Sequence, residues 1–265
     1  MITSKNVKQY DHNKKENSQP TFSIILPTYN AEETIFETLT SVVNQTLKNI
    51  EILIYDDASA DNTKNIIDSI KDNRIKVIYS DKNVGVGLSR DTLLKQSVGR
   101  YIAFIDSDDT WHPSKLQLQL ETMVSNNANL CTCNYVIEKE GHTRLKPIKV
   151  PNGITFHKMH QRNWIPMSTA VIESTMVNVK SMPDMRIRQD YAYWMELFAN
   201  NTNLSHTNVN QELCKYRRRK KRLSQSPFKN VKYNYLVFRQ ILCYTRYQSL
   251  YYLFLNVINK IFRNG

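Results

Sequence analysis

The chain has 265 residues, a net charge of +12, 41% hydrophobic residues and 23% charged residues. This composition excludes a largely disordered chain, and 6 glycines with 8 prolines exclude a collagen-like or linker-dominated one. A chain of this length forms one large domain or two small ones. Its longest apolar run, at residues 250–258, is far shorter than the roughly 20 residues of a membrane-spanning helix.

The basic charge is concentrated near the C-terminus. Residues 213–265 contain 13 Lys and Arg and no Asp or Glu, whereas the rest of the chain holds 23 basic and 24 acidic residues. A near-neutral body with a basic C-terminal segment predicts an anionic partner for that segment: phosphates, acidic lipid headgroups or nucleic acid.

Cysteine usage and the N-terminus indicate where the protein resides. Four cysteines are too few and too irregularly spaced for a disulfide scaffold, and Cys131 and Cys133 lack the spacing of a zinc site. Four cysteines without a disulfide pattern are typical of a protein in a reducing, cytosolic compartment. Residues 1–20 are polar and have no apolar segment, which predicts a disordered N-terminal tail rather than a signal peptide.

Four apolar segments alternate with segments of helical periodicity in the first 105 residues. The predicted strands are 22–26, 50–55, 75–79 and 101–105, and the predicted helices are 31–46, 61–71 and 88–97. Near-continuous apolar strands separated by helices indicate an α/β fold with a mostly parallel sheet covered on both faces. Polar side chains follow three of these strands, at 28–30, 56–57 and 106–109. Ligands bind beyond the carboxyl ends of such strands.

The acidic segment after the fourth strand predicts a cation site. Asp106 and Asp108 are two residues apart, and their carboxylates are hard oxygen ligands that suit Mg²⁺ or Mn²⁺ bridging a diphosphate. The chain contains neither common type of glycine-rich phosphate loop. Cations would therefore have to neutralise any bound phosphate.

The second half of the chain is less regular. A short strand is predicted at 169–172 and an amphipathic helix at 190–200, with Asp190 at its start. On spacing alone, the Asp190 carboxylate is favoured as a helix N-cap. Residues 226–265 form a basic, aromatic-rich amphipathic segment. This segment predicts either a helix in a membrane interface or helices that pack on the body or form a dimer.

Four ordered motifs carry a family resemblance. Residues 23–30 read SIILPTYN, residues 55–63 read YDDASADNT, residues 83–90 contain NVG and SR, and residues 104–109 read FIDSDD. They resemble the motifs of the inverting glycosyltransferases of family 2, which have the GT-A fold. The likeness is greatest to bacterial enzymes that build surface polysaccharides such as capsule, O-antigen or teichuronic acid.

The resemblance implies a domain division and a site. A GT-A domain would span 21–225, with a nucleotide-binding half at 21–115 and an acceptor half at 116–225, followed by the helical tail at 226–265. Asp190 would be the catalytic base, and Asp108 with Asp106 would hold Mn²⁺ or Mg²⁺. The nucleotide, usually a uridine diphosphate, would contact Pro27, Thr28, Asn30, Asp57, Arg90, Asp106 and Arg219.

Two positions depart from the family pattern. Gln189 stands where many relatives have Glu, and Arg219 stands where many have His, in a loop that closes over the diphosphate. The implied reaction transfers a sugar from a nucleotide-sugar donor to a glycan or polyprenyl-linked acceptor with inversion. It would take place on the inner face of a bacterial membrane, with an anionic membrane surface as a further partner.

Two other function classes fit the sequence less well. A sugar nucleotidyltransferase would have a G-x-G-x-R motif after the first strand, where this chain has Pro27-Thr28-Tyr29-Asn30. A nucleic-acid-binding protein would use the basic run at 217–222 and the tyrosines of the tail. The near-neutral body and the acidic strand ends argue against this class, so no nucleic acid is expected. The sequence leaves the oligomeric state open.

Overall fold

The computed structural model describes residues 19–139, 146–177, 182–183, 185, 187–218 and 227–262. In these residues the strands are β1 (Phe22–Thr28), β2 (Ile50–Asp56), β3 (Ile75–Tyr79), β4 (Tyr101–Phe104), β5 (Thr110–Trp111), β6 (Leu130–Lys139), β7 (Lys146–Ile148), β8 (Val171–Glu173) and β9 (His206–Arg218). The helices are α1 (Ile35–Val43), α2 (Thr63–Ser69), α3 (Val86–Gln96), α4 (Lys115–Ser125), α5 (Phe156–Gln161), α6 (Gln189–Asn200), α7 (Pro227–Leu236) and α8 (Arg246–Phe262). All strands join one sheet.

The first part of the sheet is parallel, as the sequence predicts. Its strand order is β3-β2-β1-β4, and every residue of β1 and β2 is buried. Burial on both faces explains why these strands are unbroken apolar runs rather than alternating ones. Successive side chains serve opposite faces: Ile25 packs in one apolar cluster, and Ile24 and Leu26 pack in the other.

The sheet continues past β4 as a mixed sheet. Strand β8 is antiparallel to β4, β6 is antiparallel to β8, and β6 and β9 run parallel to each other. The long strands β6 and β9 were missed because polar side chains interrupt their pattern. Across the pair, Thr132 donates a hydrogen bond to Asn208 at 2.8 Å, and the Asn134 amide donates to Asn210 at 2.9 Å. The register shifts on both sides of Asn134.

The predicted helices of the first half are present; α1 and α2 are shorter than predicted, and α3 begins two residues earlier and ends one residue earlier than the predicted 88–97. The helix predicted over 31–46 begins only at Ile35, because the turn before it makes other contacts. The backbone N–H of Ala31 donates to Thr63 Oγ1 at 2.8 Å, and that of Glu32 donates to Asp61 at 3.1 Å.

In the second half, the strand predicted at 169–172 is divided. A 3₁₀ turn covers Met167–Thr169, and β8 follows it.

The C-terminal helices pack on the body. A π-helical segment, Val237–Ile241, joins α7 to the loop before α8. Val237 and Phe238 are fully buried in the cluster that contains Tyr191 and Trp194 of α6. Of the alternatives that the sequence left open, packing on the body therefore applies to one side of these helices. In the part of the chain that the structure describes, no helix is long and apolar enough to cross a bilayer.

Candidate active site

The carboxyl ends of β1 and β2 meet at one edge of the sheet. The backbone N–H of Asp57 donates to the carbonyl of Thr28 at 2.9 Å, and Pro27 lies beside Tyr55 in the strand register. The Thr28 hydroxyl is buried and has no hydrogen-bond partner among the described residues. Buried hydroxyls are normally paired. Thr28 is therefore the clearest polar group at this edge for a ligand to meet.

Asn30 lies in the loop after β1 and contacts the loop after β2. Its backbone has a φ of +46°, in the left-handed region that asparagine tolerates. The backbone N–H of Asn30 donates to Ser59 Oγ at 2.9 Å, and its Oδ1 accepts the N–H of Ala60 at 2.8 Å. Asn30 thus fixes the loops after β1 and β2 to each other. The same contacts determine the shape of the edge where a nucleotide is expected.

Asp57 holds the turn before α3. One oxygen of its carboxylate accepts the N–H of Val84 at 2.7 Å, and the other accepts the N–H of Gly85 at 2.8 Å. Gly85 has a φ of +89°, where a side chain would be strained. An ionised carboxylate offers about four acceptor positions. Asp57 can therefore brace this turn and still accept a hydrogen bond from a nucleobase.

Arg90 connects two parts of the site that are far apart in the sequence. It lies in α3, is 5% exposed, and forms an ion pair with Asp106 after β4. Its other terminal nitrogen donates to Gln189 Oε1 at 3.1 Å. Gln189 immediately precedes Asp190 at the start of α6. Because Gln189 is neutral, Asp106 is the only carboxylate among these contacts of Arg90.

Asp109 holds the acidic segment at 106–109 in place through buried hydrogen bonds. It is fully buried, accepts the Ser168 hydroxyl at 2.5 Å, and accepts the backbone N–H of Arg217 at 3.1 Å. Burial raises the pKa of Asp109 well above its usual range, and the charges of Asp108 and Asp106 raise it further. Ser168 Oγ also accepts the N–H of Asp106 at 3.0 Å. The third acid of this segment is thus a structural anchor that the sequence analysis did not separate from the others.

Asp106 and Asp108 remain as the candidate cation ligands. Both are partly buried, and their carboxylate oxygens are the donor type that Mg²⁺ and Mn²⁺ prefer. Among the described residues, no group of three or more His, Cys, Asp or Glu side chains is placed to hold a metal ion. The donor chemistry of these two carboxylates fits a divalent cation.

Asp190 lies in the first turn of α6, but it is not the cap residue that spacing alone favours. The helix begins at Gln189, and the N-cap position is Arg188, which has a φ of +64°. Oxygen Oδ2 of Asp190 accepts a hydrogen bond from the Asn163 side-chain amide at 2.6 Å. Asn163 comes from the irregular segment before β8, where sequence periodicity gives no signal.

A chain of side-chain amides from the C-terminal helices supports the start of α6. Arg188 Nε donates to Asn234 of α7 at 2.8 Å, and Asn234 donates to Asn256 of α8 at 3.1 Å. The Asn256 amide then donates to the carbonyl of His160 at 2.5 Å. Asn234 and Asn256 are both buried. The residues around Asp190 therefore depend on helices near the end of the chain.

The basic run at 217–222 begins within β9, and its first cation is bound to the body. Arg217 Nε donates to Glu138 at 3.0 Å, and its guanidinium also pairs with Glu37. The hydrogen bond from Arg217 holds the pKa of Glu37 below its usual value, aided by the charge of Lys215. Arg219, predicted to contact the diphosphate, lies outside the described residues.

Comparison with known proteins identifies the family. Residues 23–181 match the family model described as Glycosyl transferase family 2. The chain belongs to glycosyltransferase family 2. It is 37% identical over 210 residues to WfgD of Escherichia coli, a UDP-Glc:alpha-D-GlcNAc-diphosphoundecaprenol beta-1,3-glucosyltransferase, covering 79% of this chain and 82% of the relative. It is also 33% identical over 228 residues to TuaG of Bacillus subtilis, whose name refers to teichuronic acid biosynthesis, covering 85% and 90%.

Solved structures confirm the predicted GT-A fold. The S. aureus TarS fragment 1–349 in complex with UDP-GlcNAc superposes with a TM-score of 0.71 at 19% identity, over 90% of this chain and 72% of that one. The mannosyltransferase PcManGT of Pyrobaculum calidifontis, in complex with GDP-Man and Mn²⁺, gives a TM-score of 0.60 at 12% identity, over 92% and 74%. These likenesses concern the fold alone.

In this glycosyltransferase, most of the predicted site residues lie along connected strand ends and turns. Hydrogen bonds join the segments of Thr28, Asn30, Asp57, Arg90 and Asp106, and Arg90 extends the connection to the residue before Asp190. Sequence analysis missed Asn163, Ser168 and the anchoring role of Asp109. The third acid of the segment at 106–109 was a usable signal for Asp109. No local pattern points to Asn163.

Proposed function

We propose that the chain transfers a glycosyl residue from a UDP-sugar to a hydroxyl of a lipid-linked saccharide, with inversion and with Asp190 as the general base. The observation that carries this proposal is the double contact of Arg90. The same guanidinium binds Asp106, at the candidate diphosphate site, and Gln189, which adjoins Asp190. A donor site and a base next to each other are what glycosyl transfer needs. Membership in the family favours this reading over a nucleotidyltransferase or a nucleic-acid-binding protein.

On the donor side, fixed polar groups would bind the nucleotide. The Thr28 hydroxyl and the Asp57 carboxylate lie at adjoining strand ends, and Asp57 can accept a hydrogen bond from the base. Asp106 and Asp108 would hold a divalent cation, Mn²⁺ or Mg²⁺, which when bound neutralises the diphosphate leaving group. Arg219 remains a proposed contact to the diphosphate.

On the acceptor side, Asp190 would remove the proton from the attacking hydroxyl. Asn163 orients this carboxylate through the hydrogen bond at 2.6 Å, so one oxygen is occupied and the other can face the acceptor. The hydroxyl then attacks the anomeric carbon from the face opposite the diphosphate, which inverts its configuration. One base is enough, because a neutralised diphosphate leaves without being protonated. Glycosidases differ in requiring a second carboxylate as the acid.

The names of relatives supply the substrate classes of the proposal. WfgD is named for a UDP-Glc donor and a diphosphoundecaprenol-linked acceptor. A polyprenyl-linked acceptor is held in a membrane, and nucleotide sugars are cytosolic metabolites. We therefore place the chain peripherally at the inner face of a bacterial membrane, in surface polysaccharide synthesis.

The base is tested by Asp190→Asn, with Glu196→Gln of the same helix as a control that removes an equal charge. Transfer should fall by at least 1,000-fold in Asp190→Asn, because the amide cannot accept the proton, while UDP affinity changes less than threefold. Glu196→Gln should keep most activity. Loss of UDP binding together with the thermal transition in Asp190→Asn would mean that Asp190 is structural.

The cation is tested by titrating UDP into the protein in Mn²⁺ and in EDTA. UDP should bind at least tenfold more weakly in EDTA, and Asp108→Asn should bind it weakly under both conditions. Asp81→Asn, at an exposed turn, is the matched control. Equal UDP affinity in Mn²⁺ and EDTA would remove the proposed metal role.

A further inference from the structure

Helix α8 exposes four large apolar side chains on one side. Tyr247, Leu250, Tyr251 and Phe254 are 87%, 54%, 58% and 61% exposed. Their spacing of three and four residues places them next to one another on the helix surface. We refer to these four residues as the α8 outer face. A contiguous set of exposed aromatic and aliphatic side chains marks an interaction site more often than scattered single residues do.

The opposite side of α8 is fixed to the body. Ser249 and Asn256 are buried, and the Tyr252 ring lies 4.2 Å from the His160 ring, centroid to centroid. Asn256 is held by Asn234 and by the His160 carbonyl. The helix therefore cannot rotate to hide its outer face without breaking buried hydrogen bonds.

The surroundings of α8 are basic. The elements that pack most closely against it are α5, α7 and the π-helical segment. None of these elements contains Asp or Glu, and neither does α8. Together they carry the cations Lys158, Lys229, Lys232, Arg239, Arg246 and Lys260, of which Lys158, Lys229, Lys232 and Arg246 are exposed. An apolar face with cations and no acids near it is complementary to an anionic lipid surface.

We propose that the α8 outer face rests in the interface of an anionic membrane. Its four side chains would enter the headgroup region, where tyrosine is favoured because its ring is apolar and its hydroxyl polar. The surrounding cations would lie at the level of the phosphates. A second copy of the chain fits less well, because its equally basic helices would face these cations. This inference rests on the proposed function in that a lipid-linked acceptor requires a membrane.

Membrane contact at this face would also orient the active site. Asn256 of α8 and Asn234 of α7 connect through Arg188 to the start of α6, which carries Asp190. A series of hydrogen bonds therefore connects α8 to the start of the helix that carries the proposed base. The height of Asp190 above the lipid would be set by these hydrogen bonds rather than by a flexible linker.

The test is co-sedimentation of the full-length protein with vesicles of phosphatidylglycerol and phosphatidylcholine. The variant is Leu250→Ser with Phe254→Ser. The matched control is Val98→Ser with Val124→Ser, which are 51% and 54% exposed on other parts of the body. The unchanged protein and the control should bind at low salt, release partly at high salt, and ignore pure phosphatidylcholine. The α8 variant should bind at least tenfold more weakly, with an unchanged thermal midpoint.

Three outcomes would overturn the inference. They are failure of the unchanged protein to bind the anionic vesicles, equal binding by the α8 variant, and a dimer in sedimentation that the α8 variant dissociates without any vesicle binding. If the double variant is unstable, Phe254→Ser alone serves. Transfer to a short-chain, water-soluble acceptor should be unchanged in the α8 variant. Asp190→Asn should bind vesicles normally, so failure of the proposed base and failure of membrane contact give different results.

Discussion

The donor side and the acceptor side of the site are held together in different ways. On the donor side, the loops after β1, β2 and β3 bind one another directly, as in the contacts of Asn30 with Ala60 and of Asp57 with Val84. On the acceptor side, Asp190 is held by Asn163, and its helix depends on Asn234 and Asn256 from the C-terminal helices.

Because of this difference, substitutions elsewhere in the chain should affect the donor side and the acceptor side differently. Donor-side contacts lie within and between the motifs at strand ends, so the sheet itself positions them. On the acceptor side, the contacts that support the start of α6 include Asn234 and Asn256, so they form only when the C-terminal helices are in place. Substitutions that destabilise those helices should therefore disturb the position of the proposed base more than that of the nucleotide loops.

The largest expected effect follows from Phe238→Ala. Phe238 is fully buried and packs near the rings of His160, Tyr191 and Tyr252. Its truncation should lower the free energy of unfolding by about 3–5 kcal/mol, the usual range for a buried phenylalanine. Phe254→Ala, at an exposed position of α8, should cost less than about 1 kcal/mol. Denaturant unfolding measures both. Equal losses would mean that the C-terminal helices do not share the core.

A smaller effect is expected at the junction of the two sides. In Arg90→Lys, a single ammonium cannot replace a guanidinium that contacts Asp106 and Gln189 together. Turnover should fall about tenfold to 100-fold, equivalent to about 1.4–2.7 kcal/mol of barrier. Gln189→Ala removes the contact of Arg90 toward α6 and keeps its ion pair with Asp106, so it should lower kcat while leaving UDP affinity near normal. Arg100→Lys, at a partly exposed pair with Glu173, is the control. If Gln189→Ala weakens UDP binding as much as Arg90→Lys, the two sides are not separable.

Asn163→Ala should have a milder effect, confined to the acceptor side. Without the hydrogen bond from Asn163, the Asp190 carboxylate is no longer held in one orientation toward the acceptor hydroxyl. We expect kcat to fall about tenfold, a loss of about 1.4 kcal/mol, with the KM for the donor unchanged. Asn65→Ala on α2 is the control. An unchanged kcat with a lowered thermal midpoint would reduce Asn163 to a structural role.

The same contrast explains what sequence alone predicts. Strands β1 to β4 and the residues Thr28, Asp57 and Asp106 are predictable, because buried parallel strands are apolar runs and ligand groups follow their ends. Strands β6 and β9 are not, because Asn134 and its partners place polar groups where an alternating pattern is expected. Asn163 is unpredictable for a related reason. Its partner lies 27 residues away, and only the tertiary structure brings them together.

A further expected effect concerns acid, and it also differs between the two sides of the molecule. Residues 19–111 contain no histidine. On the other side, His206 Nδ1 accepts the N–H of Ile154 at 3.0 Å, and its Nε2 lies 2.9 Å from the Thr132 hydroxyl. Burial, with a smaller effect of Lys158, lowers the pKa of His206 to about 3. An unfolded histidine has a pKa of about 6.5.

Between these two pKa values, the unfolded chain binds a proton at His206 that the folded chain does not bind. Stability should therefore fall as the pH decreases from about 6.5 toward 3, by at most about 1.4 kcal/mol per pH unit. His206→Gln should flatten this dependence, whereas His112→Gln, at an exposed position, should not. Hydrogen exchange at pH 5 and pH 7 locates the effect, and β6 and β9 should lose protection before β1 and β2. Earlier loss in β1 and β2 would show that histidine burial on the acceptor side does not control acid sensitivity.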